Sequence, residues 1–295
     1  MQITNKHGLP EQFVRVAEND KYTRGESDIS VTTLIDSPRI NVLSERHDAD
    51  MKKDVTEATF SMLGTAVHQI LEESQAKPDE VYEERLYATV LGWVISGAID
   101  VQKYNRNGSI TIMDYKVCTA WAVMNDKPEW ENQLNCYAWL VQKNKQIPVE
   151  KIQVVAVIRD FNRRKAQRER GYPATNIKVI DVPLWTYEEQ SSYINTRVLL
   201  HKGSQEDFIN PLPLCTDQER WGRPAKWAVM KTGRKSAVKL FDSSREAELF
   251  INNQKGANAL SIEERPSEFT RCVDNFCGVS QFCDQYEGDK AWQML

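Results

Sequence analysis

The sequence predicts an α/β (α+β) fold: a central mixed β-sheet flanked by helices. Three observations predict it. Trp93 to Val117 reads as a hairpin, two apolar and β-branched runs around Asn105-Arg106-Asn107-Gly108, whose Asn-Gly pair favours a tight turn. Lys151–Arg159 is a continuous apolar run of strand length, as buried strands are. Stretches with helical periodicity lie before, between and after these strands, so helices must cover the sheet.

In chain order, residues 1–30 are polar and partly irregular, and Ser30–Arg46 is expected to form a short element packed beside the functional site. Leu63, Val67, Ile70 and Leu71 repeat at helical spacing and predict an amphipathic helix over about 57–75. The hairpin region spans 82–117. Pro128–Lys143 is a helix with Trp130, Leu134, Tyr137 and Leu140 or Val141 inward. Strands follow at Lys151–Arg159 and Asn176–Leu184. Thr186-Tyr187-Glu188-Glu189 is a capping box that opens a helix to about Lys202. A basic hairpin through Lys226, Lys231, Arg234, Lys235 and Lys239 comes next, then a helix over Ser243–Asn252. The expected division is a core over 1–210 and a C-terminal extension over 211–295. There is no internal repeat.

The hairpin places Asp100 on one arm and Asp114 and Lys116 on the other. Strand side chains alternate, so Lys116 shares a face with Asp114. Two carboxylates this close raise each other's pKa unless a cation intervenes. Hard divalent ions take carboxylate oxygens, and a metal answers that need. An Asp with a Lys two residues on is by itself an ordinary surface ion pair; the neighbours change the reading. His68 stands one turn after Gly64 on the upstream helix, and neutral imidazole ligates metals. Gln133 and Tyr137 are four apart on the downstream helix and share a face. Glu83 or Glu84, before the hairpin, is a further carboxylate for the same place.

Taken together, Gly64-x-x-x-His68, Gly97-x-x-Asp100, Asp114-Tyr115-Lys116 and Gln133-x-x-x-Tyr137 resemble the RecB-like branch of the PD-(D/E)XK nucleases, in the order of its small phage-encoded exonucleases. The resemblance covers His68 to Tyr137 motif by motif and extends loosely to Ser30–Leu34. It implies a restriction-endonuclease-like core. It also implies Mg²⁺ or Mn²⁺ on His68, Asp100, Asp114 and the Val117 carbonyl, with Lys116 assisting the attacking water. Gln133 and Tyr137 would position the DNA strand. The chemistry is coherent, because a metal lowers the pKa of bound water and positive charge stabilises the more anionic transition state. One metal or two are both compatible with these residues. The resemblance implies exonuclease action on DNA ends or single strands, with recombination or replication proteins as partners. The rival reading is a non-catalytic nucleic-acid-binding or assembly module on the same fold.

Two further features stand outside that site. Arg163, Arg164, Lys165 and Arg168 form the most basic cluster, either a solvated loop or a grip on phosphates. Of six cysteines, Cys272, Cys277 and Cys283 lie close together near the C-terminus and Cys215 is the best fourth ligand. Such clustering in a cytosolic protein argues for metal rather than disulfides. Thiolate-only sites suit a [4Fe–4S] cluster and a structural Zn²⁺ alike. Several RecB-like relatives carry a [4Fe–4S] cluster that staples the C-terminal segment, and the resemblance implies a cysteine-held extension here. This sequence departs from them in lacking an N-terminal cysteine and in its wider C-terminal spacing.

The 295 residues are 41% hydrophobic and 27% charged, an ordinary globular composition with enough chain to bury a core. A net charge of -4 excludes a protein that binds nucleic acid over its whole surface, though not one with local positive charge. No apolar run is long enough to span a bilayer, and the first residues lack the apolar stretch of a signal peptide. A cytoplasmic protein with no membrane contact is expected.

Overall fold

A computed structural model describes residues 1–19, 24–74, 77–206, 209–254, 257–274 and 276–287. These form two compact units, Met1–Val42 with Asp48–Pro213, and Leu43–His47 with Leu214–Leu295.

The first unit runs β1 (Gln2–Thr4), α1 (Glu11–Glu18), β2 (Ile29–Ser30), α2 (Val31–Leu34), α3 (Pro38–Arg46), β3 (Lys52–Asp54) and α4 (Thr59–Glu72). It continues with β4 (Glu80–Val90), β5 (Trp93–Tyr104), β6 (Ile110–Cys118), α5 (Ala120–Met124) and α6 (Pro128–Lys145). β7 (Val149–Ile158), α7 (Arg163–Arg168), β8 (Ile177–Val182) and α8 (Tyr187–Gln205) close it. The last residues of α3 belong to the second unit.

The main sheet has the order β2-β5-β6-β7-β8, with β4 on the other edge of β5. It is mixed, as the sequence predicts: β6/β7 and β2/β5 are parallel, and the other pairs antiparallel. The predicted hairpin is β5/β6. Its loop uses positive φ at Gly108, not at Asn107, and Asn105 closes it with side-chain bonds to Ser109 and Thr111. A second hairpin joins β4 to β5 through Leu91 and Gly92, both at positive φ. A two-residue connection of that kind is a type I′ turn, whose twist suits paired strands. Leu91 is an unusual residue for it.

β5 is long enough to serve two neighbours on one edge. It pairs β6 from Val101 to Tyr104, and β2 at Ile95 and Ser96. Between these, β5 and β6 part. The Asp100 carboxylate enters the gap and accepts a hydrogen bond from the Tyr115 backbone N–H at 2.7 Å. A side chain thereby satisfies a donor that the ladder has abandoned.

β7 alternates as a half-covered strand should, with Ile152, Val154 and Ala156 fully buried. α6 is buried along Gln133–Val141, more completely than its sequence pattern suggests. α8 covers the side expected to face water. Asn135, fully buried, donates to the Pro183 carbonyl and accepts from Trp185 N–H and Gln190, so its polar group is satisfied. Gly97 is required by this packing: a Cβ there would lie 2.8 Å from the Tyr137 ring and 2.9 Å from Leu140. The Thr186–Glu189 capping box of α8 forms in both directions.

α4 corrects an expectation. None of its residues is buried, and Leu63 and Ile70 are exposed. The helix turns its Gly64–His68 side, not its full apolar stripe, toward β6. The basic segment is also corrected, from loop to helix: α7 is short, and Asn162 caps it by accepting from Arg164 and Lys165 N–H.

In the second unit, β9 (Gly222–Arg223) pairs β13 (Glu268–Phe269), and β10 (Lys226–Lys231) is central between β11 (Lys239–Phe241) and β12 (Leu260–Arg265). The predicted hairpin is β10/β11. α9 (Ser244–Asn252) is capped by Ser243, whose side chain accepts from the Glu246 N–H, and α10 (Thr270–Val273) precedes the last cysteines. His47 stacks on Phe282, ring centroids 4.1 Å apart.

Candidate active site

The site lies where β5 and β6 part. Continuing the two registers one step places Glu83 and Asp114 on either side of Asp100, a row of carboxylates across β4, β5 and β6. Residues directly opposite on antiparallel strands share a face. Glu83 adopts positive φ (49°), costly for a residue with a Cβ, and interrupts the β4/β5 ladder.

α4 lays His68 over this row. Its Nδ1 is 3.6 Å from Glu83 Oε1 and 3.7 Å from Asp100 Oδ2. Its Nε2 lies 3.1 Å from the Tyr115 carbonyl. That contact defines the tautomer: an Nε2–H donating to Tyr115 leaves the Nδ1 lone pair aimed at the carboxylates. Metal-binding histidines are commonly held by such a carbonyl. Lys116 Nζ, on the same strand face as Asp114, is 2.8 Å from Asp114 Oδ2. The angle is poor for a hydrogen bond, and this buried oxygen has no hydrogen-bond partner.

The electrostatics show what the row lacks. Burial raises the Asp100 carboxyl to about 7, and the Asp114 charge pushes it the same way. The Glu83 carboxylate lifts the His68 imidazole to about 9, with help from Asp100. Without metal, the imidazolium is therefore the cation between Glu83 and Asp100. The ligand atoms of His68, Glu83 and Asp100 all lie within 4.8 Å of one another. Asp114 falls outside this close group, paired with Lys116 and near enough for its charge to act on Asp100; the nitrogen-and-oxygen set of His68, Glu83 and Asp100 fits Mg²⁺ or Mn²⁺. Binding must displace the His68 and Asp100 protons. Mn²⁺ affinity is therefore expected to climb up to about tenfold per pH unit for each proton displaced, between about pH 7 and 9. Calorimetry in buffers of different ionisation enthalpy reads the released protons, and a pH-independent affinity would refute this ligand set.

The other sequence-predicted residues fall as follows. Gln133 donates to the Tyr137 hydroxyl at 2.8 Å, and both are buried, Tyr137 against Gly97 of β5. The β6 carbonyl on His68 is that of Tyr115, two residues before Val117. Arg163, Arg164, Lys165 and Arg168 are exposed on α7. Glu83, one of two candidates by sequence, is the carboxylate that reaches His68. Glu84 instead pairs with Lys145 at 2.6 Å. The sequence signal separating them is register alone.

In the second unit, Cys277 and Cys283 are buried, and Cys215 and Cys272 half-buried. Burial pushes the Cys277 thiol up, and the nearby Cys272 and Cys283 add to it. Gln285 holds Cys215 by both its backbone groups, at 2.8 and 3.0 Å. The thiols are nevertheless not gathered as His68, Glu83 and Asp100 are: among the described residues that is the group of three or more within 4.8 Å. A tetrahedral Zn²⁺ with bonds of about 2.3 Å needs sulfurs about 3.8 Å apart. No helix among the described residues is long and apolar enough to cross a membrane.

No curated protein is significantly similar in sequence. Several solved structures superpose partly, among them the following two. One is the protein SSO0001, 18% identical with a TM-score of 0.46, covering 70% of this chain and 97% of that one. The other is a candidate exonuclease from Eubacterium rectale, 12% identical with a TM-score of 0.32, covering 70% and 79%. At these scores neither likeness bears on function. The sequence match is the stronger finding. Residues 78–284, well over half of the chain, match the PD-(D/E)XK nuclease superfamily, whose members use divalent metals and act on nucleic acid. With the carboxylate row, His68 and Lys116 meeting where two strands part, the chain belongs to the PD-(D/E)XK nuclease superfamily.

Proposed function

We propose that this protein is a metal-dependent DNA exonuclease of the RecB-like branch. The observation that carries the reading is the convergence of His68, Glu83, Asp100, Asp114 and Lys116 at one strand fork. His68, Glu83, Asp100 and Asp114 would hold Mg²⁺ or Mn²⁺. The bound ion would supply Lewis acidity and a low-pKa water for phosphodiester hydrolysis. Lys116 orients that water and places its charge beside the phosphate. Gln133 and Tyr137 stiffen the face of α6 behind β5 and fix the DNA strand's position through it. The reading is tested on end-labelled single- and double-stranded DNA with Mn²⁺ or Mg²⁺. A ladder of products shortening from one end is the expected result. No cleavage by folded, metal-loaded protein would favour a binding module instead.

α7 is assigned to phosphate contact, with its side chains exposed and its charge uncompensated along one short helix. Neutralising Arg163, Arg164 and Arg168 together is expected to flatten the salt dependence of single-strand binding by about two units of log–log slope. An unchanged slope would remove α7 from the interface.

The core, 1–210, carries this chemistry, and the extension, 211–295, is held by Cys215, Cys272, Cys277 and Cys283. The favoured occupant is a [4Fe–4S] cluster, with structural Zn²⁺ as the alternative, because three of these thiols sense one another and Gln285 pins the fourth. Cys283→Ala is expected to abolish the cluster's visible absorbance and open residues 270–287 to proteolysis. Full folding with no metal detected in the wild type would dismiss the site.

A further inference from the structure

We propose that Phe60 and Trp121, each with a cation beside its ring, form a base-stacking track for a single strand of nucleic acid leading to the carboxylate site. The assignment of the site itself rests on the nuclease reading above; the track is argued from separate residues.

β6 carries Asp114 and Lys116, then Cys118 on the same face, and ends there. At that end the Arg159 N–H donates to the Cys118 carbonyl, and Asp160 accepts from Ala120 N–H. These bonds tie the start of α5 to the end of β7. Trp121 follows at once, 60% exposed, with Lys127 Nζ 5.0 Å from its ring centre. Lys127 also pairs with the exposed Glu129 at 3.2 Å. Arg159 extends over Phe60, with its guanidinium 3.7 Å from the ring centre. Phe60 is 58% exposed and lies on α4, about 12 Å of helix before His68. The Cys118 thiol, half-buried, lies within electrostatic reach of Lys116, Lys127 and Arg159. The cations of both aromatic pairs, together with Asp160, therefore lie near the end of β6, two residues along it from Lys116. On α4, Gly64 sits between Phe60 and His68, and a Cβ there would touch nothing within 4 Å.

An exposed aromatic ring in water is an unfavourable surface, and each of these residues has a cation over its ring and more than half of its surface in solvent. That combination is what single-strand binding uses: rings for the base faces, cations for the phosphates. A duplex keeps its bases stacked internally and cannot present them to such rings. The track thus selects single strands, or the frayed end of a duplex.

The test measures binding, without cleavage, in Ca²⁺. The probes are a fluorescein-labelled oligothymidylate of about 15 nucleotides, its abasic counterpart with the same phosphates, and a blunt duplex. Phe60→Leu and Trp121→Leu each are expected to weaken oligothymidylate binding about tenfold, and the double variant about 100-fold. Abasic and duplex binding should stay within about twofold of wild type. Trp121→Phe should retain most of the affinity. Equal losses on all three probes, or no loss on oligothymidylate, would overturn the track. Hydrolysis of bis(p-nitrophenyl) phosphate with Mn²⁺ separates the two readings. If wild type hydrolyses it while the variants bind oligothymidylate normally, the track fails and the nuclease stands. If wild type fails to hydrolyse it but the variants lose only oligothymidylate, the track stands and the nuclease reading fails.

Discussion

Asp114→Asn is expected to lower Mn²⁺-dependent DNA cleavage by about 10³-fold or more while leaving the protein folded. Asparagine has the same shape, so β6 keeps its register and Asp100 keeps its bond to the Tyr115 N–H. What disappears is one of two buried like charges. The Asp100 carboxyl, pushed up partly by Asp114, should then ionise at lower pH. In the apo variant the relief of Asp100 is offset by the loss of the 2.8 Å ion pair with Lys116. Mn²⁺ should raise the melting temperature of wild type but not of the variant. Lys116→Ala should lose activity to a similar degree while still binding Mn²⁺, since its ammonium is beside the carboxylates and not among the ligands. Cleavage by Asp114→Asn within tenfold of wild type would refute the assignment of the strand fork as the catalytic site.

Relative to His201→Gln, the wild type should lose about 3 kcal/mol of stability as the pH drops from about 6.5 to about 4. His201, on α8, is fully buried. Its Nε2 lies 3.1 Å from the carbonyls of both Leu34 and Asp36. The neutral ring donates one proton between them. Protonation would add an Nδ1–H where no acceptor exists, inside the core and near Arg197. Burial above all, then Arg197, lowers the imidazole to about 4. The sign follows: below about 6.5 the unfolded chain gains a proton that the folded chain refuses, so acid favours unfolding. Above 6.5 both forms are neutral and the effect vanishes. Glutamine can still donate to Leu34 but does not titrate. Comparing the two proteins cancels Asp100 and His68, whose raised values act in the opposite direction. Urea midpoints at pH 7.5, 5.5 and 4.5 check it, and parallel curves would contradict it.

The local rules were legible wherever a short stretch of chain decides its own structure. The β5/β6 hairpin, the α6 helix, the buried β7 strand and the Thr186 and Ser243 caps follow from alternation, periodicity and side-chain-to-backbone bonds among neighbours. The order His68, Asp100, Asp114, Lys116 was readable for the same reason, since two of these elements are adjacent in the chain. β4 and β12 carry no comparable local signal. β4 joins β5 through Leu91 at positive φ, a residue that carries no turn signal, and β12 pairs β10 across about 30 residues. The stripe on α4 misled because periodicity states that a helix has an apolar side and not which side meets the sheet.

The sequence by itself determined the mixed α/β class, the hairpin and the chemical types available at the site, because these depend on neighbours along the chain. Only the tertiary structure decided that Glu83 and not Glu84 faces His68, and that Tyr115 supplies the carbonyl on the imidazole. It alone decided that Asp100 fills the gap where β5 leaves β6, and that Gln133 and Tyr137 lie buried behind the strand. Each of these turns on which strand lies beside which and in what register. A shift of one residue in that register would carry every carboxylate of the row to the opposite face of the sheet.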